Sequence, residues 1–324
     1  MRRNIAIFMI CVIFLLNGSC SWGIGLPEGK ITLIVINEDG SPVEGADLGI
    51  GFERNTGAGT KKVPVGGQTD KEGKFTGYAR TINYASYIVR KEGYYQSFGE
   101  YRFTKHEAGK WLPWNPEIKV VMRKIENPVP MYARNTGHVI PDIEIPAINK
   151  EIGFDLMECD WVAPYGTGKH ADFIFKLEKR FKSRDDFDST LTVTFANRFD
   201  GLQVVKENLK GGSMFKLPRY APEDGYQKKV THRKVGKGLG APIDDYGDNT
   251  NYIFRVRSEE KDGKLYRAMY GKINGEIRFD PMNSKTAYII FKYFLNPDYT
   301  RNLEYDGKNL FKDLKSFEQV GWDN

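Results

Sequence analysis

The stretch Lys30-Ile31-Thr32-Leu33-Ile34-Val35-Ile36-Asn37-Glu38-Asp39-Gly40-Ser41-Pro42-Val43-Glu44-Gly45-Ala46 decides the fold. Its first seven residues form an apolar, β-branched run, the composition of a buried strand. The next six are turn chemistry. Asp39 carries an acceptor for the turn backbone, Gly40 tolerates positive φ, and Pro42 fixes φ on leaving. A strand that stops in this way and resumes at Val43 to Ile50 reads as a hairpin-like bend in β structure. Downstream, a Gly/Lys-rich loop is expected over 55–67, then a second turn, Thr69-Asp70-Lys71-Glu72-Gly73-Lys74-Phe75, then a strand from Tyr87 to Tyr94. Turn signals at this spacing point to a β-sandwich, with Phe75, Tyr87 and Val89 facing inward.

Three of these pieces, in order, resemble the carboxypeptidase regulatory-like domain, a transthyretin-like sandwich of exported bacterial proteins. They are Asp39-Gly40-Ser41-Pro42-Val43-Glu44-Gly45-Ala46, Thr69-Asp70-Lys71-Glu72-Gly73-Lys74-Phe75 and Lys91-Glu92-Gly93-Tyr94. The likeness covers residues 28–125, with Pro116 to Lys124 as the closing strand. It implies a non-catalytic folding or binding module and brings no catalytic residues with it. Residues 94–114 depart from a minimal module by crowding Tyr101, Trp111 and Trp114 with other rings into a Gly/Lys-rich segment. Such rings make either a platform for sugar or peptide or a plug at one end of the sandwich.

Pro128, Pro130, Pro141 and Pro146 mark residues 126–150 as an extended linker. Beyond it, strands are expected over 152–161, 172–181, 190–195, 252–257, 265–270, 275–279 and 287–294. Turns are expected at 259–264 and at Gly271 to Gly275, and a short helical turn over 310–317. The fold class is therefore all-β: an N-terminal transthyretin-like β-sandwich followed by a second antiparallel β-sandwich or jelly-roll-like domain over 151–324. Arg255 and Arg257 fall on one face of their strand, and with Trp161 they offer the stacking and guanidinium bonds that suit a glycan. The commoner alternative is a buried Trp and a solvated charge ladder.

Composition agrees with a packed β protein. Of 324 residues, 20 are Phe, 18 Tyr and 5 Trp, so disorder is excluded, and 34 are Gly, above the usual fraction of about 7%. Residues 1–20 have the form of a signal peptide: Arg2-Arg3, an apolar run from Ile5 to Leu16, then Asn17-Gly18-Ser19-Cys20. Gly18-Ser19-Cys20 resembles a lipoprotein box, departing from it at Asn17 where such a box carries Leu or a similar residue, which makes Cys20 a candidate for acylation, against ordinary cleavage near Cys20 to Gly23. Without Arg2 and Arg3 the net charge of +6 becomes +4. That weak balance, with no long basic run, argues against nucleic acid as a partner. Cys11 leaves with the leader, so Cys159 is the one thiol of the folded body.

Catalytic motifs fail on spacing. His106-Glu107 has no second His four residues on, Gly166-Thr167-Gly168-Lys169-His170 lacks the frame of a phosphate loop, and His138 sits in the linker. Asp244, Asp245, Asp248 and Asn249 put hard oxygen donors on one short turn, the chemistry of Ca²⁺, although such turns are commonly acidic for backbone reasons alone. The expectation is an exported protein, periplasmic, outer-membrane-anchored or at the cell surface, that binds or scaffolds a glycan or another envelope protein and meets the membrane through Cys20. The rival is a glycan-acting hydrolase with a carboxylate pair in the second domain, which requires two carboxyls about 5–9.5 Å apart across a cleft.

Overall fold

In the computed structural model, residues 25–56, 59–137, 143–281, 285 and 287–320 are described. The signal segment, Cys20 and His138 lie outside them. The described chain is all-β, with no helix. Its first half is a two-sheet sandwich. One sheet runs Lys74–Arg80, Glu28–Asn37, then Glu117–Met122 and Lys110–Leu112 side by side on the same strand, with Lys105–Glu107 outermost. Glu28–Asn37 pairs antiparallel with Lys74–Arg80 and parallel with Glu117–Met122. The other sheet runs Gly59–Gln68, Asp47–Thr56, Tyr84–Arg90 and Ser97–Arg102. Alternation puts Leu48, Ile50 and Phe52 opposite Ile31, Leu33 and Val35, all buried. Val89 joins them in full, and Phe75 and Tyr87 pack against this core from its margin.

The turns form as their residues dictate. Asp39 Oδ1 accepts the Ser41 N–H at 2.9 Å, and Asp70 Oδ1 accepts the N–H groups of Glu72 at 3.0 Å and Lys74 at 2.7 Å. Gly40 and Gly73 hold φ of 86° and 72°. The bend after Ile36 closes as a hairpin-like turn, with Ile36 bridged antiparallel to Pro42 and the N–H groups of Asn37 and Val43 bonded to the carbonyls of Ser41 and Val35, and the chain then crosses to the other sheet. One reading needs correction. The segment expected as a loop over 55–67 is mostly the ten-residue strand Gly59–Gln68, paired along its length with Asp47–Thr56. It is an outer strand, mostly exposed, in which only Val63 and Val65 are partly buried and Val65 packs against the core.

The second half is another sandwich. Its first sheet runs Asp160–Trp161, Glu151–Asp155, Phe173–Ser183, Asp186–Thr194, Lys229–Lys237 and Ile243–Asp244, all antiparallel. Its second runs Gly201–Lys206, Thr250–Lys261, Lys264–Ile273, Lys292–Asn296, Val129–Asn135 and Tyr305–Asn309. A small sheet of Ile143–Glu144, Tyr288–Ile290 and Arg278–Asp280 lies beside them. The core between the sheets is aromatic. Phe173 meets Phe254 edge-on at 5.3 Å and Phe195 at 5.6 Å, and Phe154 meets Trp161 at 5.1 Å. The linker expected over 126–150 is in part structure, since Val129–Asn135 lies inside the second sheet with Pro130 in place. Asp262 and Gly263, at φ 53° and 76°, close the expected hairpin. Gly271 is no turn residue: it lies in a strand, where a Cβ would strike the Phe254 ring and the Phe294 carbonyl. Residues 310–317 are turns and bends without a helix.

The two sandwiches are locked together. Gly212–Ser213, carried by the long segment after Gly201–Lys206, pairs with Ser97 and Phe98 and so adds a short strand to the first domain's sheet. Beside it, the Phe215 ring lies 5.2 Å from that of Tyr95 and 4.0 Å from the Arg123 guanidinium. Arg219 pairs with Glu304 at 2.7 Å, Glu126 at 3.2 Å and Glu38 at 3.2 Å. Glu304, fully buried, also accepts the Tyr95 hydroxyl at 2.9 Å and the N–H groups of Glu126 and Asn127. Burial works to raise the Glu304 carboxyl, but Arg219 and those donors hold it below its ordinary range.

Candidate functional site

Most of the aromatic and arginine residues singled out for binding are spent on the fold. Trp111 is buried, stacks on Phe103 at 6.0 Å and donates its Nε1–H to the Thr81 carbonyl at 2.9 Å. Tyr101 packs edge-on to Phe103 at 5.0 Å, and Trp114 is covered by the ammonium groups of Lys110 at 4.6 Å and Lys30 at 5.7 Å. Trp111 and Phe103 therefore plug one end of the sandwich, with Tyr101 and Trp114 half-buried beside them. Trp161 is buried and donates to the Glu144 carbonyl at 2.8 Å. Arg255 is buried as well, giving hydrogen bonds to the carbonyls of Phe199 and Glu223 over the Tyr226 ring. Residues 199–228 cover the face of that strand which the sequence alone leaves open.

The acidic turn does not converge on a cation. Asp244 Oδ1 faces its own turn at Tyr246 N, Asp245 Oδ1 accepts the Arg233 N–H at 2.8 Å, and Asn249 sits at φ 54° with its carbonyl bonded to Glu207 and Asn251. Asp248 is exposed, with Lys206 Nζ 3.5 Å from its backbone carbonyl. Among the described residues no three His, Cys, Asp or Glu side chains gather as a metal site. The backbone accounts for the acidity of this turn. Its neighbour is a buried network that spacing did not reveal. His232 lies 2.9 Å from the Tyr252 hydroxyl, which also bonds Glu276, and stands 3.7 Å from Asp245 and 3.6 Å from Glu276. Burial lowers the His232 pKa against the pull of both carboxylates. Burial also pushes the Cys159 thiol up to about 11, so it is no thiolate nucleophile at neutral pH.

A cleft of about 380 Å³ in the second domain is lined by His170, Asp172, Asn197, Asp200, Arg257 and Tyr299, among others. It is where a carboxylate pair would act. Burial raises both the Asp172 and the Asp200 carboxyls. Yet Asp172 is gripped by Arg257 through Nε at 2.7 Å and Nη2 at 2.8 Å, and takes the Leu156 N–H on Oδ2. Asp200 takes the Ser258 N–H at 2.9 Å and the Asn197 amide at 3.0 Å. Arg257 reaches Asp155 too, at 2.7 Å, from a backbone at φ 50° where the strand register shifts. A non-glycine residue held there costs about 1–3 kcal/mol, which the clamp offsets. These acids hold the bulge and aim no free oxygen at a substrate.

The first domain carries a larger and different hollow, an open trough of about 880 Å³ on the outer face of the sheet that includes Ser97–Arg102. Its floor is made where alternation turns small residues outward, at Gly49, Gly51, Pro64 and Ser86, with Ile88 and Phe98 beside them. Its walls are Tyr84, Lys62 and Glu100, and one end is closed by Lys210, Gly211 and Gly212 from the second domain. The two glycines, at φ 67° and 76°, let that chain turn in against the sheet. Tyr84 donates its hydroxyl to Glu100 at 2.8 Å, and Lys62 donates to the Ser86 hydroxyl at 2.9 Å. Arg102 lies 4.6 Å over the Tyr84 ring and 3.8 Å from Glu100. No sequence motif marked the trough, because its parts come from four strands and a distant loop.

No family model matches the chain, and no curated protein matches it. Among solved structures, 3-chlorocatechol 1,2-dioxygenase from Rhodococcus opacus 1CP is 14% identical, over 31% of this chain and 61% of its own, at a TM-score of 0.25. A mutant of the shaft pilin of Lactobacillus rhamnosus GG is 10% identical, over 81% of this chain and 93% of its own, at 0.23. A streptococcal ancillary pilin is 13% identical, over 86% of this chain and 63% of its own, at 0.21. The chain thus spans about three-fifths of the length of the dioxygenase. Likenesses at these scores assign neither a family nor an activity.

Proposed function

We propose that this chain is an exported, envelope-associated binding and scaffold protein that holds a glycan or another envelope protein without transforming it. The observation that carries the reading is the contrast between the two hollows. The acids of the second domain's cleft are used up by Arg257 and backbone donors, whereas the trough presents rings, hydroxyls and ammonium groups to solvent. The joint at Arg219 and Glu304 supports it, since it fixes the trough in direction relative to the second sandwich. In the same reading the first sandwich is a carboxypeptidase regulatory-like module, supported by its three turn motifs, and residues 1–20 are an export signal that leaves Cys20 for acylation.

The test is incubation of the purified chain with cell-envelope material carrying its glycans. Saturable retention with no release of soluble sugar or peptide fragments is expected. Release of reducing sugar ends in proportion to time would overturn the reading in favour of a hydrolase.

A further inference from the structure

We infer that the outer-face trough is a binding site for an acidic oligosaccharide, a chain of flat sugar rings carrying carboxylates. This deepens the reading of the chain as a binding protein and rests on it. The trough lies on the face of a sheet and not at its edge, so the strands beneath it have their backbone N–H and C=O groups paired to one another. A peptide added as an extra strand would find no ladder there. Recognition must come from side chains and from close approach to a flat floor. Gly49 supplies that approach, because no Cβ stands between a ligand and the sheet there, whereas Gly51 lies beneath the Lys62 side chain and the Ser86 hydroxyl. Tyr84, Phe98 and Ile88 supply apolar surface for the faces of sugar rings. Ser86 and Glu100, which accept from Lys62 and Tyr84, add further acceptor capacity to the lining.

Charge selects among glycans. Glu100 is balanced by Arg102 and by the Tyr84 hydroxyl. Lys62 is bonded to the neutral Ser86, and neither it nor Lys210 has a carboxylate within ion-pair distance among the described residues. The trough therefore faces its ligand with two ammonium groups, one on each domain, that stand in no ion pair among the described residues, Glu53 being the cross-strand neighbour of Lys62. Carboxylates spaced along a sugar chain complement them.

The test is calorimetric titration of the full chain with an oligogalacturonate and, in parallel, with the same oligomer after reduction of its carboxyls to alcohols. The acidic oligomer is expected to bind and the neutral one to bind about tenfold more weakly, with the difference shrinking as salt is raised. Lys62→Gln combined with Lys210→Gln should remove the preference for the acidic oligomer. Gly49→Leu should abolish binding of both. A Cβ there meets only Ile88 Cγ2, at 3.8 Å, so the side chain fills the trough without forcing the sheet apart, and unfolding curves confirm that the variant is folded. No preference for the acidic oligomer, or unchanged binding in the folded Gly49→Leu variant, overturns the assignment. In the latter cases, envelope retention that survives Gly49→Leu shows that the scaffold reading stands on another surface.

Discussion

The cleft at Arg257 and the trough at Gly49 are both hollows on β-sandwiches, yet they use their polar atoms in opposite ways. In the cleft, two buried aspartates are tied to a guanidinium, an amide and backbone donors, and the strand is held through a strained bulge. In the trough, charged groups stand at the solvent boundary and are bonded mainly to hydroxyls. A buried acid with raised proton affinity is a common sign of catalysis. Here the same sign accompanies a structural clamp, and what separates the two is whether an oxygen is left over.

The sharpest way to break this contrast is Asp172→Ala. It leaves Arg257 with Asp155 as its one remaining carboxylate partner beside a strained backbone, and removes the acceptor of the Leu156 N–H. Loss of one partner from a buried pair costs about 3–5 kcal/mol. Urea unfolding should show a loss of that size. A loss under about 1 kcal/mol would mean that the acid is not structural and would reopen the cleft as a reactive site.

Next in size is the joint that carries the trough's far end. Glu304→Ala removes the buried one of Arg219's three carboxylate partners, together with the acceptor of the Tyr95 hydroxyl and of two backbone N–H groups. The expected cost is about 2–4 kcal/mol, with scanning calorimetry resolving two transitions where the parent chain shows one. A single unshifted transition would show that the sandwiches are coupled by other contacts.

How much of this was legible in the sequence follows from where each signal lives. The turns at Asp39 to Ala46 and Asp70 to Phe75 are local, with an aspartate bonding its own next residues, and they read correctly. Gly59–Gln68 was unreadable as a strand because only Val63 and Val65 of its ten residues are even partly buried, and Lys229–Lys237 was missed because four lysines and arginines hide its alternation. Trp111, Trp161 and Arg255 looked like binding groups because sequence shows a side chain's chemistry and not what covers it. Arg257, by contrast, does line a hollow, though as part of its frame. The trough itself depends on which strands pair and on a loop from another domain closing one end, and neither fact is local.

Acid sharpens the contrast further. The pKa of His232 is lowered in the folded state by burial, so the unfolded chain binds its proton first and stability falls as pH drops below about 6.5. The carboxyl of Glu304 is also held low, so its contribution is present above about 4.5 and is lost as pH falls through the folded value. Denaturation midpoints across pH should therefore decline in two stages, and His232→Gln should remove the first. A parent chain equally stable at pH 7 and 5.5 would contradict the neutral, buried imidazole. The trough contributes little to either stage, since no comparable buried group lines it.

The smallest expected effect is the one that separates function from fold. If the trough's charged groups are kept for a ligand, removing them should leave stability nearly unchanged. Lys62→Gln and Lys210→Gln are each expected within about 0.5 kcal/mol of the parent chain, because exposed lysines bonded to a hydroxyl or to nothing charged carry little folding energy. Gly49→Leu is expected to be neutral or slightly stabilising, since a strand glycine loses more chain entropy on folding than the residue replacing it. Urea midpoints measured beside that of Asp172→Ala supply the scale. A trough variant that costs as much as the clamp variant would show the trough to be framework as well, and the difference between the two hollows would be one of depth alone.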